Sequence, residues 1–570
     1  MLNNTLKSAL LGAAAVLALS ACGSDDEGSA ADLSVSKPAA VSKSSPLDKP
    51  FMLKDAEPVD VPALLTSTGL ADMLEYSSAE FDSKLGATVL TNVKPAGENE
   101  MMSIGRIEIY GLNDDAITTL TSGGSLAQMT DMFEKVRVFD LAADFPIPNE
   151  PTWNAEGEMT ETAPGKGKFS IAAMEFDGLK LKSKTLAEGE MEAEGADIAN
   201  KLKSMSFNGM AMKGLLVDMS GVQGGQAIGM TADDMRFGSY SNGKFGGFFA
   251  KGFGYNVTQT DESIEQAMSS MGGGAAMIMN SPLKNLIFPK NASGTIGEMT
   301  WDGFSVAGLL PYLESGETPP VSAKDLISVG GMEILDQTSM VNGKKAASVE
   351  RTAISPIEFY HFMPKQIKMV SEGETMDFTA YVGDENPEIS SVLKKNGFDK
   401  VESESSFVYT FDPKAKSITL RSESDADNLF GMNLNADVGN FDYDAMVAED
   451  GDGEAAMMAT TIKGLSLKLE DEKLVDTIFA VVGAANGTDP AQLRQQASGI
   501  VTLGAIQGGQ ISKRIPDYAT AVSTFLNEGG TLEIKVAPAE PVTVGSLAAM
   551  GEQNPAGMLD TLNLTVKQSN

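Results

Sequence analysis

Met174-Glu-Phe-Asp-Gly-Leu-Lys-Leu181 alternates apolar and polar residues up to Asp177-Gly178, then alternates again in the opposite phase. The arrangement recurs in Met205-Ser-Phe-Asn-Gly-Met-Ala-Met212 and Met299-Thr-Trp-Asp-Gly-Phe-Ser-Val306. Weaker relatives run from Ile107 to Asn113, Met235 to Ser241 and Thr460 to Leu467. Ile357-Glu-Phe-Tyr-His-Phe-Met363 carries His361 in the glycine place. A period of two is that of a strand with one face inward. The phase change at Asp-Gly or Asn-Gly has two readings. One is a two-residue type I′ hairpin, which needs positive φ at both centres. It would set Phe176 opposite Leu179, Glu175 opposite Lys180 and Met174 opposite Leu181. The other is a single strand broken by a glycine bulge, which also switches face. Both give an antiparallel, β-rich body, and the irregular spacing of the copies excludes a strict solenoid.

Helical periodicity is scattered around this pattern. Helices are expected over Ser125 to Val136, Asp261 to Met271 and Pro387 to Lys395, the last capped by Asn386 and closed by Gly397. The C-terminal part is richer in them. Leu474, Val475, Ile478, Phe479 and Val482 fall on one face, Asp489-Pro490 opens a further helix, and another runs from Pro516 to Gly529-Gly530. Strands follow at Thr531 to Val536 and Thr561 to Lys567, with a short helix near Gly545 to Met550. The expected class is α+β and β-dominated: an extended antiparallel sheet of short strand-Gly-strand units, with helices concentrated in the C-terminal half. Glu314-Ser-Gly-Glu-Thr-Pro-Pro-Val-Ser322 is the best internal break, giving a β-rich domain over 59–314 and an α+β domain over 323–570.

The first residues carry an address. Lys7 precedes an apolar run from Ala9 to Leu19, too short to span a bilayer, and Leu19-Ser-Ala-Cys22 follows. These residues resemble the signal peptide and lipobox of bacterial lipoproteins. The resemblance implies cleavage between Ala21 and Cys22, removal of residues 1–21, and acyl chains on Cys22. Two or more chains anchor a protein stably where one does not. Gly23 stands where Asp would resemble an inner-membrane retention signal, which implies the outer membrane, on its periplasmic or surface face. Residues 22–58, rich in Ser, Ala, Asp, Lys and Pro, read as a flexible tether. The last hundred residues or so look like the endings of uncharacterised alphaproteobacterial envelope proteins, a likeness that implies no activity.

Composition narrows the function. The 570 residues carry 43 basic and 78 acidic side chains, a net charge of −35, which repels nucleic acid and anionic headgroups. Cys22 is the only cysteine, so no intramolecular disulfide forms, and zinc held by Cys and His is excluded by count. His361 is the only histidine, in a strand-like stretch with no G-x-S-x-G nearby, and reads as structural. There is no Walker A loop and no dinucleotide glycine fingerprint. Asp450, Asp452 and Glu454 alternate like the start of a calcium loop, but Ala455 and Thr461 stand where an EF-hand needs Gly and Glu, leaving a weak calcium candidate. Methionine is abundant, 32 in all, with Met268, Met271, Met277 and Met279 clustered; it suits irregular apolar packing better than copper. Trp301 occupies a repeat position filled elsewhere by Phe and reads as core. The expectation is a membrane-anchored, non-enzymatic envelope lipoprotein without a cofactor, whose Met, Leu and Phe face handles apolar envelope components. The alternatives are a scaffold for another envelope protein and an envelope hydrolase with paired carboxylates.

Overall fold

The computed structural model describes residues 35, 44–97, 101–148, 152–153, 159–160, 163–183, 194–222, 225–264, 288–384, 386–448, 452–510 and 512–570. The chain divides into two compact units, one of residues 37–275 with 290–336, the other of 337–570 with 1–36 and 276–289. The division falls at Asp336–Gln337, not at the Pro319-Pro320 break, which is a loop inside the first unit.

The first unit is an antiparallel meander of long strands: β1 (Ala87–Pro95), β2 (Met102–Tyr110), β3 (Lys135–Ile147), β4 (Gly165–Asp177), β5 (Gly209–Val222), β6 (Gln226–Phe237), β7 (Phe248–Thr258) and β8 (Asn291–Trp301). Each pairs with the next. A second, small sheet is made of two- and three-residue strands at their ends. Its order is Thr130–Asp131, Lys180–Leu181, Met205–Phe207, Tyr240–Ser241, Lys244–Phe245, Phe304–Ser305, Ser328–Val329.

This second sheet decides between the two readings of the repeat. Asp177-Gly178, Asn208-Gly209 and Asp302-Gly303 are not hairpin turns. Each is the point where one chain segment passes between the large sheet and the small one. Phe176 pairs with Met210 and Val136 rather than facing Leu179. At Gly303 glycine is needed because backbones cross closely: a Cβ there would lie 2.1 Å from the Phe245 carbonyl oxygen, as one on the neighbouring Gly247 would lie 2.3 Å from that of Trp301. Thr460–Leu467 is the bulge variant, with the register slipping beside Lys463 inside one strand. Genuine two-residue turns stand elsewhere, at Asn242-Gly243 (φ 49° and 70°) and Asn342-Gly343 (φ 50° and 78°). His361 occupies a turn too: Phe359 pairs with Pro364 and Tyr360 with Met363, and His361 takes φ 54°.

A second phase change runs across the middle of the large sheet. Leu90 and Val93, Val138 and Leu141, Met212 and Leu215, Ala250 and Phe253 are each three residues apart yet share a face, as their cross-strand partners show. Between them stand Asn92, Asp140, Gly214 and Gly252, all at positive φ (49°, 54°, 62° and 62°). Asn and Asp tolerate this region and Gly is at home in it. A Cβ on Gly214 would also come within 2.9 Å of the Ala172 Cβ. Gly214→Ala should therefore cost about 1–3 kcal/mol and Gly214→Asn less, read as urea unfolding midpoints by tryptophan fluorescence.

The second unit repeats the meander with β9 (Lys344–Ile354), β10 (Gln366–Met376), β11 (Val401–Asp412), β12 (Ser417–Ala426), β13 (Phe430–Gly439), β14 (Thr461–Asp471), β15 (Gly530–Val536) and β16 (Thr565–Ser569). Its helices fit the sequence. Pro387–Asn396 ends at Gly397 in the left-handed conformation. Leu474–Asn486, Pro490–Gly508 (capped by the Asp489 carboxylate on Ala491 N, 2.9 Å) and Ile515–Glu528 follow. Val475, Phe525 and Leu532 form the core beneath these helices. Two expectations fail. Ser125–Val136 is not helical: the helix is Asp114–Thr121, capped by Asn113, and Leu126 and Met132 pack on its Ala116. Thr561 ends the helix Pro555–Thr561 instead of opening a strand. The Asp261–Met271 helix lies outside the described residues beyond Ile264.

Candidate functional site

Register builds the largest apolar surface of the first unit row by row. One row across β2 to β8 reads Ile107, Val138, Met174, Met212, Met235, Ala250, Met299. The next, past the positive-φ line, reads Ile104, Leu141, Ile171, Leu215, Ala232. Then come Met102, Ala143, Phe169, Val217, Met230 and Tyr255, and finally Phe145, Gly167, Met219, Ile228 and Val257. No residue in these rows is charged. Met102, Met174, Met210, Met212, Met219, Met230, Met235 and Met299 all share this face. It spans about 23 Å along the strands and about 24 Å across β3 to β8 at ordinary rise and spacing.

Its borders are covered. Phe207, Phe245 and Phe304 of the small sheet pack on Phe176 and Trp301 at one end; Trp301 lies 5.8 Å from Phe245 and 5.9 Å from Phe304, a core role. Val61 and Leu65 of the helix Val61–Ser67 cover the β1–β2 corner over Leu90 and Val93. Over the rows of β3 to β8 no described helix is closely packed. Most of these side chains are half-buried; Ile171, Ala232 and Ala250 are fully buried, and Phe145 is exposed.

The opposite face is polar and charged beside the small sheet. Glu175, 1% exposed, accepts from Lys135 Nζ (2.6 Å) and Arg137 Nε (2.7 Å). Lys135 also reaches Asp177 at 3.0 Å, and Asp234 pairs with Arg236. Tyr110, wholly buried, donates to Glu108 Oε2 at 2.8 Å. Over this network lies the segment from Ser44 to Leu53. Arg137 donates to the Pro46 and Lys49 carbonyls, Asp48 pairs with Lys213, and Phe51 stands edge-on to Tyr110 under the Lys135 ammonium. An open cleft of about 490 Å³ remains between this segment and Arg236, Phe237 and Asn208. In the second unit Val35 packs on Ala353 and Val370. The stretch 22–58, expected as a tether, is thus docked at Val35 and from Ser44 to Leu53: each arginine, Arg137 and Arg351, finds backbone carbonyls there.

The second unit also has an apolar face, with Ile367, Tyr409, Leu420, Ala436 and Leu465 in one row. The Tyr409 hydroxyl is buried there, without a hydrogen-bond partner among the described residues. Burial pushes its pKa up, as it does for Tyr110, Tyr240, Tyr360 and Tyr443; Glu108 adds to the effect on Tyr110 and Asp444 to that on Tyr360. Above the ordinary tyrosine value of 10.0 the unfolded chain loses protons that the folded one keeps, so stability falls as pH rises. Alkaline titration should show tyrosinate absorbance at 295 nm appearing late and together with loss of near-UV circular dichroism. Early, independent ionisation of all ten tyrosines would contradict it.

The residues singled out in sequence are dispersed. Ala21, Cys22, Asp450 and the four clustered methionines lie outside the described residues. Asp452 caps the helix Gly453–Ala459 through Ala455 N (2.9 Å), and Glu454 lies exposed in its first turn. Among the described residues no three acidic, His or Cys side chains are grouped to hold a metal. His361, 6% exposed, places Nδ1 3.0 Å from the Tyr443 hydroxyl. A Met, Leu and Phe face was expected from the sequence, but not which residues build it: their signal is a mid-strand phase change at Asn, Asp or Gly, with methionine at alternating positions on either side.

Residues 423–569 match the model of a family described only as uncharacterized protein. They take in β13 to β16 and the helices packed on them. No curated protein matches the chain.

Proposed function

We propose that this is a non-enzymatic bacterial envelope lipoprotein, anchored by acyl chains on Cys22 at the outer membrane, whose first unit holds acyl chains on its methionine-rich face. The observation that carries this reading is an uncharged face of about 23 by 24 Å over which no described helix is closely packed, the size of the largest apolar patches on soluble proteins, which are often functional. Methionine side chains adapt to apolar ligands of varied shape. Each buried methylene contributes about 0.8 kcal/mol, so a dozen offset the ordering of a flexible chain.

Two measurements test it. Cys22→Ser should move the protein from the membrane to the soluble fraction; retention in the membrane overturns the anchor. Native mass spectrometry with lipid extraction on that soluble full chain should find non-covalent lipid in about equimolar amount. A lipid-free mass overturns the binding role and leaves the anchor standing. The scaffold reading has one observation of its own, an exposed apolar stripe on the second unit's helix Pro490–Gly508.

A further inference from the structure

The helix Pro490–Gly508 packs on its neighbours through one side only. Ala505 is buried, Arg494 donates to the Leu526 and Asn527 carbonyls, and Ser498 meets Asn527. The other side carries Ile500, Leu503 and Ile506, exposed by 71%, 63% and 65%. A Cβ added at Gly499 or Gly504 would meet nothing within 4 Å, so that side is open at backbone level as well. From Gln495 to Ser512 there is no charged and no aromatic residue.

From these features we infer that the stripe is the contact between two copies of this chain, packed helix against antiparallel helix about a two-fold axis through Leu503. The residues are disposed symmetrically: Gln496, Ile500, Leu503, Ile506 and Gln510 follow one another at spacings of four, three, three and four. An isologous contact requires that residue i meet residue j and j meet i. Antiparallel packing about Leu503 does this. Leu503 meets its own copy, Ile500 meets Ile506, and the glutamines close a polar rim. Spacings of three and four keep Gln496, Ile500, Leu503 and Ile506 on one face of the helix, and Gln510 follows just past its C-cap Gly509.

Charge selects a second copy over a lipid surface. Surface helices bind headgroups through Lys and Arg and insert aromatic side chains, and this stretch has neither. Copies with a net charge of −35 repel each other broadly, and this stripe carries none of that charge. Area sets the strength. A standard interface takes about 800 Å² from each partner, and three aliphatic side chains supply on the order of half of that. The dimer is accordingly reversible, with dissociation at micromolar concentration or above.

The test uses the full chain with Cys22→Ser, which is cysteine-free. Sedimentation velocity should show a concentration-dependent dimer, and Leu503→Glu should weaken it at least tenfold with circular dichroism and melting temperature unchanged. With Leu503→Cys as the sole thiol, mild oxidation should give a disulfide dimer, and Gln492→Cys, exposed on the same helix, should not. A monomer at all concentrations, equal cross-linking at both positions, or vesicle binding abolished by Leu503→Glu overturns the inference. None of these readouts depends on whether the methionine face holds lipid.

Discussion

Glu175→Gln is expected to destabilise the first unit by about 3–5 kcal/mol, the largest effect of any single substitution on its polar face. The carboxylate is 1% exposed and accepts from Lys135 and Arg137, themselves 5% exposed. A neutral amide leaves both cations buried with too little negative charge, and a buried charge without its partner is costly. The second consequence is mechanical. Arg137 also holds the Pro46 and Lys49 carbonyls, so disordering its guanidinium loosens the docked segment Ser44–Leu53. Thermal unfolding should shift down by several degrees, and protease should cut near Lys49 at temperatures where the wild type resists. By contrast Lys201→Ala, which removes an exposed pair with Asp197, should cost less than about 0.5 kcal/mol. Equal small shifts for the two variants would mean that the buried network is not holding the segment. Replacing Lys135, Arg137 and Glu175 together by apolar residues should recover most of the loss, since it removes the buried charges rather than unpairing them.

That network also shows what was legible in the sequence. Strand content, antiparallel pairing and the helical C-terminal part follow from period-two alternation and from caps such as Asp489 and Gly397, which are local signals. The Asp-Gly repeat correctly marked a phase change, yet a hairpin and a passage between two sheets carry the same local signature. What separates them is the neighbour of Phe176, either Leu179 just past the glycine or Met210 on another strand, and that is a tertiary fact. The segment Ser44–Leu53 has the composition of a linker and is ordered by partners such as Arg137 and Tyr110, far from it in sequence. The stretch Ser125–Val136 was expected to be helical, but Leu126 and Met132 pack on Ala116 of the preceding helix, and the chain goes over into the short strand Thr130–Asp131 and the long strand that begins at Lys135-Val-Arg-Val.

Val217→Lys should abolish lipid retention in the first unit while Leu216→Lys leaves it unchanged. The two residues are adjacent on β5 and point to opposite faces. Val217 lies between Phe169 and Met230 in the uncharged rows, whereas Leu216, 41% exposed, stands between Ser170 and Thr231. An ammonium at the Val217 position must stay hydrated, so it keeps water where an acyl chain would lie. Lipid recovered per protein should fall at least tenfold. Stability discriminates further between an open face and a closed core. On an open face the lysine extends into solvent and costs about 1 kcal/mol or less; in a closed core it is buried without a partner and costs several. A lipid-free but stable Val217→Lys protein is the expected outcome. Loss of folding would show the methionine rows to be ordinary core, and unchanged lipid would place the binding surface elsewhere. A milder series makes the same point by size: Met230→Ala should shorten lipid residence by removing contact area, with Met230→Leu close to wild type.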